Sequence, residues 1–267
     1  MSRWSAILLC FALLATSFGQ IAGKINSAQY YERGMNALLG SGVSRNEQTA
    51  LQLLRNSAEL GYLPAQTVVG YFYDTGTIVT LEPGQAAEWY RKAADQGDPL
   101  AAWLLGRLYY TGSGAGRDLN RAEDLFRNAA GQGDAFGQYF MGQVRLDRQD
   151  YAKAASWFQK AADQGLPQAQ YQLALLLKDG KGVNQDKSEA YVWLLVSVNA
   201  GNQAAVADLA FLEADLGSTE VEKAKSRARE LEKSSSRSVN AHGCTGWPGE
   251  FAAVPAPPPP DLQRFCR

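Results

Sequence analysis

The hexapeptide KAADQG occupies residues 92–97 and returns at 160–165. Anchored on its final glycine, the chain carries Gly61, Gly97, Gly133, Gly165 and Gly201, at steps of 36, 36, 32 and 36 residues. A period in this range marks a repeat array, in which each unit is one supersecondary element that buries its apolar face only by stacking on its neighbours. An ordinary helical bundle has no reason to hold one glycine at such steps.

The flanks keep the same register. Eleven residues before each anchor stand Ala50, Ala86, Ala122, Ala154 and Ala190; seven before it stand Leu54, Tyr90, Phe126, Phe158 and Leu194. Eight before it are Leu53, Trp89, Leu125, Trp157 and Trp193, and four before it are Ser57, Ala93, Ala129, Ala161 and Ser197. Apolar or small residues at i, i+3, i+4 and i+7 make one face of a helix, which assigns the tryptophans to the core. The glycine suits the left-handed residue that ends such a helix.

A second helix follows each anchor. In GDPLAAWLLGRLYY, Asp98 suits an N-cap and Pro99 the first helical position, with Pro167 placed similarly. Nine residues after the anchors come Gly70, Gly106, Gly142, Ala174 and Ala210. A glycine inside a helix costs about 0.5–1 kcal/mol against alanine, so its recurrence predicts a close approach of a neighbouring helix. The connecting loop recurs as GSGVSRN (40–46), GSGAGRD (112–118) and GKGVNQD (180–186). The third repeat ends in RLDRQD without it, which accounts for its missing four residues.

These residues together resemble the Sel-one-like repeat, a relative of the tetratricopeptide repeat. AAEWYRKAADQGDPLAAWLLGRLYYTGSG (86–114) and AASWFQKAADQGLPQAQYQLALLLKDGKG (154–182) follow its pattern of alanines, paired aromatics and glycines. Departures are Ile78 at the second loop glycine, the short third repeat, and Leu194 and Val198 in the last copy. The resemblance implies an all-α fold: a right-handed superhelical α-solenoid of antiparallel, tetratricopeptide-like helix pairs. It also implies a protein–protein scaffold, adaptor or regulator whose groove is built from the first helix of each repeat, as in envelope, exopolysaccharide or motility systems. A hydrolase-type enzyme of the repeat family and a purely structural envelope subunit are the alternatives.

The ends read differently. MSRW, the apolar run SAILLCFALLA and the small residues of TSFGQ have the order of a secretory signal peptide over residues 1–19, cleaved after Gly19. The run is too short for a comfortable span of about 20 residues. The sequence thus predicts export, to the periplasm or beyond, with no stable membrane insertion after cleavage. Residues 20–48 read as a half repeat or cap and 49–214 as about five repeats. Residues 215–236 read as a capping helix, with Thr219 and Glu222 in capping-box spacing and Val221, Ala224, Ala228 and Leu231 on one side. Residues 237–267 form a tail with the run PAPPPP. Its proline run suits a ligand for another domain, and its flanking cysteines suit a tether returning the chain end to the body. Cys244 and Cys266 are expected to pair, closing a loop of about 23 residues.

The residues offer no chemistry of their own. The one histidine, His242, stands two residues before Cys244 in the tail, too few groups for a zinc site or an oriented Cys–His pair. GSGAG lacks the G-K-[ST] of a phosphate loop. No catalytic residue, cofactor or metal is expected. A net charge of −1 gives no footprint for nucleic acid, and the expected partner is a protein or peptide. Six and five residues before the anchors lie Arg55-Asn56, Arg91-Lys92, Arg127-Asn128 and Gln159-Lys160. Off the apolar face, they stack into two rows suited to an extended acidic peptide or a C-terminal carboxylate, or else form an ordinary solvated face.

Overall fold

A computed structural model of the chain describes residues 26–114 and 116–235. Among them are twelve α-helices and one short 3-10 turn, Gln203–Ala205. The first of two compact units ends at Gln96 and holds α1 (residues 26–39), α2 (Glu47–Glu59), α3 (Leu63–Thr75) and α4 (Pro83–Ala94). The second begins at Gly97 and holds α5 (Pro99–Thr111), α6 (Leu119–Gly131), α7 (Ala135–Asp147), α8 (Tyr151–Asp163), α9 (Pro167–Asp179), α10 (Lys187–Asn199), α11 (Val206–Asp215) and α12 (Ser218–Ser235). The signal segment, His242 and the Cys244–Cys266 pairing lie outside the described residues.

The helices start and stop where local chemistry says they must. All five anchor glycines take positive φ, between 84° and 94°, which L side chains rarely adopt. The side chain of Asp98 accepts from Leu100 N–H, that of Asp118 from Asn120 and Arg121, and that of Asp186 from Glu189. In the short third repeat the turn falls to Gln149, at φ 61°, which no glycine occupies.

Packing explains the recurring small residue. A Cβ added to Gly70 would lie 2.7 Å from Cδ1 of Tyr90, and one on Gly142 would lie 2.4 Å from Cε1 of Phe158. Each glycine is a socket for the ring that stands seven residues before the next anchor, and Tyr90, Phe126 and Phe158 are fully buried. Gly34 of α1 makes the same approach to Leu54 of α2, so α1 pairs with α2 as the later odd helices pair with theirs. Helices α3, α5 and α7 bury most of their residues: α5 buries every residue from Leu100 to Tyr109, with Trp103 stacked 4.6 Å from Phe136. Helices α2, α4, α6 and α8 are amphipathic, whereas α10 buries five consecutive residues, Ala190 to Leu194. Of the tryptophans assigned to the core, only Trp193 is buried; Trp89 and Trp157 are half-buried under Lys92 and Lys160, whose ammonium groups lie 3.9 and 4.2 Å from the ring centroids. Their position lies about 100° around the helix from the buried ring, at the margin of the apolar stripe.

The last helix, α12, buries Val221, Ala224 and Ala228 and packs on α10, held by Arg227 to Glu189 at 2.8 Å and Asn199 to Glu232 at 2.8 Å. It starts at Ser218, one residue ahead of the Thr219 expected at the cap.

Candidate partner-binding groove

Within the second unit, α7, α9 and the turn after Gly201 enclose a cleft of about 330 Å³ lined by Tyr139, Gln143, Gln168, Tyr171, Gln172 and Asn202. Tyr139 and Tyr171 stand six residues after their anchors, so the repeat sets them at the same helical position one pair apart. The helices position these groups through fixed bonds. Gln143 Nε2 donates to the Tyr139 hydroxyl at 3.0 Å, and Asn202 Nδ2 donates to Ser197 Oγ at 3.0 Å and to the Pro167 carbonyl at 3.3 Å. The Tyr171 hydroxyl donates to Asp208 at 3.0 Å, and Lys178 pairs with the same carboxylate at 2.5 Å. Burial first, and Asp208 second, push the Tyr171 hydroxyl pKa up, so it stays a protonated donor at neutral pH. The side chain of Gln172, which also lines the cleft, makes no hydrogen bond among the described residues.

The lining is tyrosine and carboxamide, completed by Ala204, with no charged group. Carboxamides both donate and accept, as a peptide backbone requires, and tyrosines supply rigid contact area. The volume falls at the small end of ligand clefts. Among the described residues no three His, Cys, Asp or Glu side chains converge as metal ligands would.

The basic rows lie on even helices, and the structure accounts for most of their side chains. Arg55 lies over the Tyr73 ring, 5.5 Å from its centroid, and donates to its hydroxyl. Arg127 is paired with Asp124 at 2.5 Å and with Glu123 at 2.8 Å. Glu123 is the hub of a larger cluster, since Arg145 and Arg148 each reach it at 2.6 Å. Burial opposes its ionisation, but the three guanidiniums outweigh burial and hold its carboxyl pKa below the ordinary range. Asn128 accepts from Gln132 at 2.9 Å, while Lys92 and Lys160 cover tryptophan rings. Arg91 is exposed and has partners of its own, Asn56 is half-buried, and Gln159 donates to Asp163 at 2.7 Å.

The cleft residues were not singled out from the sequence. The available signal is QAQYQ at 168–172, three amides and a tyrosine within five residues of α9.

The stacked helix pairs, glycine sockets and left-handed caps define an α-solenoid of two-helix repeats. A profile of the Sel1 repeat matches residues 28–62, 63–98, 99–134, 135–166 and 167–202 without a gap, and the chain belongs to this family. In that phasing the odd helices come first in each repeat. The structure is similar to that of a uropathogenic Escherichia coli protein described as a protective antigen displaying an SLR fold, with 30% identity and a TM-score of 0.68 over 83% of this chain. The chain spans 48% of that protein, about half its length. It is also similar to a Sel1 repeat protein from Oxalobacter formigenes, with 26% identity and a TM-score of 0.65, covering 77% of this chain and 88% of that one. No curated protein sequence matches significantly. The fold is of a kind typical of protein–protein interaction, and no described helix is long and apolar enough to cross a membrane.

Proposed function

We propose that the protein is an exported scaffold that holds an extended segment of a partner protein in the cleft between α7, α9 and the turn after Gly201. The observation that carries this reading is the lining itself: two tyrosines at repeat-equivalent positions, flanked by amides that match backbone donors and acceptors. The reading is of a binder rather than an enzyme, because no nucleophile with an oriented base lines the cleft. The signal-like residues 1–19 support export. Membership of the repeat family supports action in an envelope, exopolysaccharide or motility assembly. The basic rows act at most as a secondary contact, because Arg55 and Arg127 already have aromatic or acidic partners.

The test is capture on immobilised protein from the exporting cell. Gln143→Arg with Gln172→Arg, which fills the cleft with two long charged side chains, abolishes retention of the wild-type partner. Arg91→Glu with Lys92→Glu and Lys160→Glu, which recharges the rows while sparing the Glu123 cluster, leaves it within about threefold. The opposite pattern would move the site to the even helices.

A further inference from the structure

In each regular repeat the odd helix offers a small residue nine positions after the anchor, and the next even helix sets a side chain against it. Gly106 takes Phe126 in this way, and Gly142 takes Phe158. The last odd helix, α11, has Ala210 at this position, yet α12 packs on α10 and makes no comparable contact with α11. The face that should be covered is therefore open. Ala207, Ala210 and Ala214 are exposed, as are Val206 (43%) and Phe211 (63%). On α5 four of the five equivalent residues, Ala102, Trp103, Gly106 and Arg107, are buried, and the fifth, Tyr110, is half-buried. A repeat interface left open at the end of an array is a liability that such proteins cover with atypical elements.

Three facts select what covers it. The face is small: α11 has ten residues, about 15 Å of helix, and three of its five open side chains are alanine. That is too little for a stable dimer, which buries roughly 1,200–2,000 Å² in total, but enough for a tethered segment at millimolar effective concentration. The chain continues for 32 residues past Ser235. The last turns of α12 lie beside the end of α10, where Glu232 accepts from Asn199, and Asn199 is joined to α11 only by the turn 200–205. The continuing segment therefore starts beside the first residue of the open face. Trp247 is twelve residues beyond Ser235, a reach of up to about 40 Å, and Phe251 follows four residues later.

We propose that the C-terminal segment, residues 236–267, folds back over α11 and sets a ring from the stretch 247–251 against Ala210, where an even helix would set its own. The segment completes the last repeat interface in cis. The cysteines at 244 and 266 flank the part that docks, so their pairing would staple the loop that carries the rings.

The experiment uses the full chain with Phe211→p-benzoylphenylalanine, a photoreactive side chain at an exposed site that leaves the core untouched. Irradiation followed by peptide mapping should join residue 211 to peptides within 244–256 in monomeric protein. A covalent dimer would show instead that a second copy covers the face. Adducts confined to other parts of the chain, or none at all, would overturn the proposal as well. Hydrogen exchange gives an independent reading. Amides of 244–256 should exchange about tenfold faster in Phe211→Asp than in the wild type, the scale set by losing one buried ring. Equal rates, with circular dichroism unchanged, would also refute it.

Discussion

Replacing Gly142 with alanine adds one methyl group where the array has least room for it. The new Cβ would lie 2.4, 2.6 and 3.0 Å from three carbons of the Phe158 ring, so the ring must move by roughly 1 Å to restore contact distance. Phe158 is fully buried and has nowhere to go without displacing its own neighbours. Helix propensity favours the change by about 0.5–1 kcal/mol, because alanine is the better helix former. Overpacking a core costs about 1–3 kcal/mol. The second term wins, and Gly142→Ala should destabilise the second unit by about 1–2 kcal/mol, a fall in Tm of about 2–8 °C for a chain of this size. The last repeat, 167–202, supplies the compensating pair, since Ala174 and Leu194 occupy the equivalent positions and are both fully buried. Phe158→Leu combined with Gly142→Ala should therefore be no less stable than Phe158→Leu alone, a coupling of at least about 1 kcal/mol. Thermal and urea unfolding of the four proteins in the cycle measure it. A neutral or stabilising Gly142→Ala, or additive effects, would refute the socket reasoning.

Three other outcomes follow from particular residues. Burial lifts the pKa of Asp134, the N-cap of α7, from an ordinary 3.8 to about 6, against the opposing N–H groups of Gly137 and Phe136. The folded state thus binds this proton more tightly, and the associated stability is present below pH 3.8 and lost as pH rises through about 6. Asp134→Asn keeps the cap, so its stability relative to wild type should climb between pH 4 and 7 by at most about 3 kcal/mol; a flat difference would contradict this. Glu123 has the opposite sign: its depressed pKa gives stability present at neutral pH and lost on acidification. Glu123→Gln leaves three guanidiniums without their carboxylate and should cost about 1–3 kcal/mol at pH 7, with the deficit shrinking in acid, as pH-dependent unfolding would show. Protein isolated from the exporting cell should begin at or near Gln20 by intact mass and carry one Cys244–Cys266 disulfide, and a membrane-retained chain with Met1 or two free thiols would contradict those two expectations.

Period and register were legible because they are enforced one repeat at a time. A left-handed glycine, a proline at a first helical position and a socket facing a ring are all local demands, and each leaves a residue type that no other position requires. Burial at the margin was harder to read. Trp89 and Trp157 share a register position with buried Trp193, yet a lysine five residues from the anchor covers each ring. Apolar character alone does not separate a core ring from one shielded by a lysine stem. The cleft was hidden for the converse reason. Its tyrosines and amides sit among buried residues of α7 and α9, and only the packing of the neighbouring helices shows which of them stay open. The partners of Arg127, Asp124 and Glu123, lie three and four residues back in the chain, but the role of Glu123 as a hub depends on Arg145 and Arg148, 22 and 25 residues beyond it.

Hydrogen exchange of the protein with and without its captured partner tests the central claim most directly. Binding in the cleft predicts slowed exchange in peptides covering 139–143, 168–172 and 202–204, with residues 55–56, 91–92, 127–128 and 159–160 unchanged. Protection confined to those even-helix rows, with the cleft peptides unaltered, would contradict it.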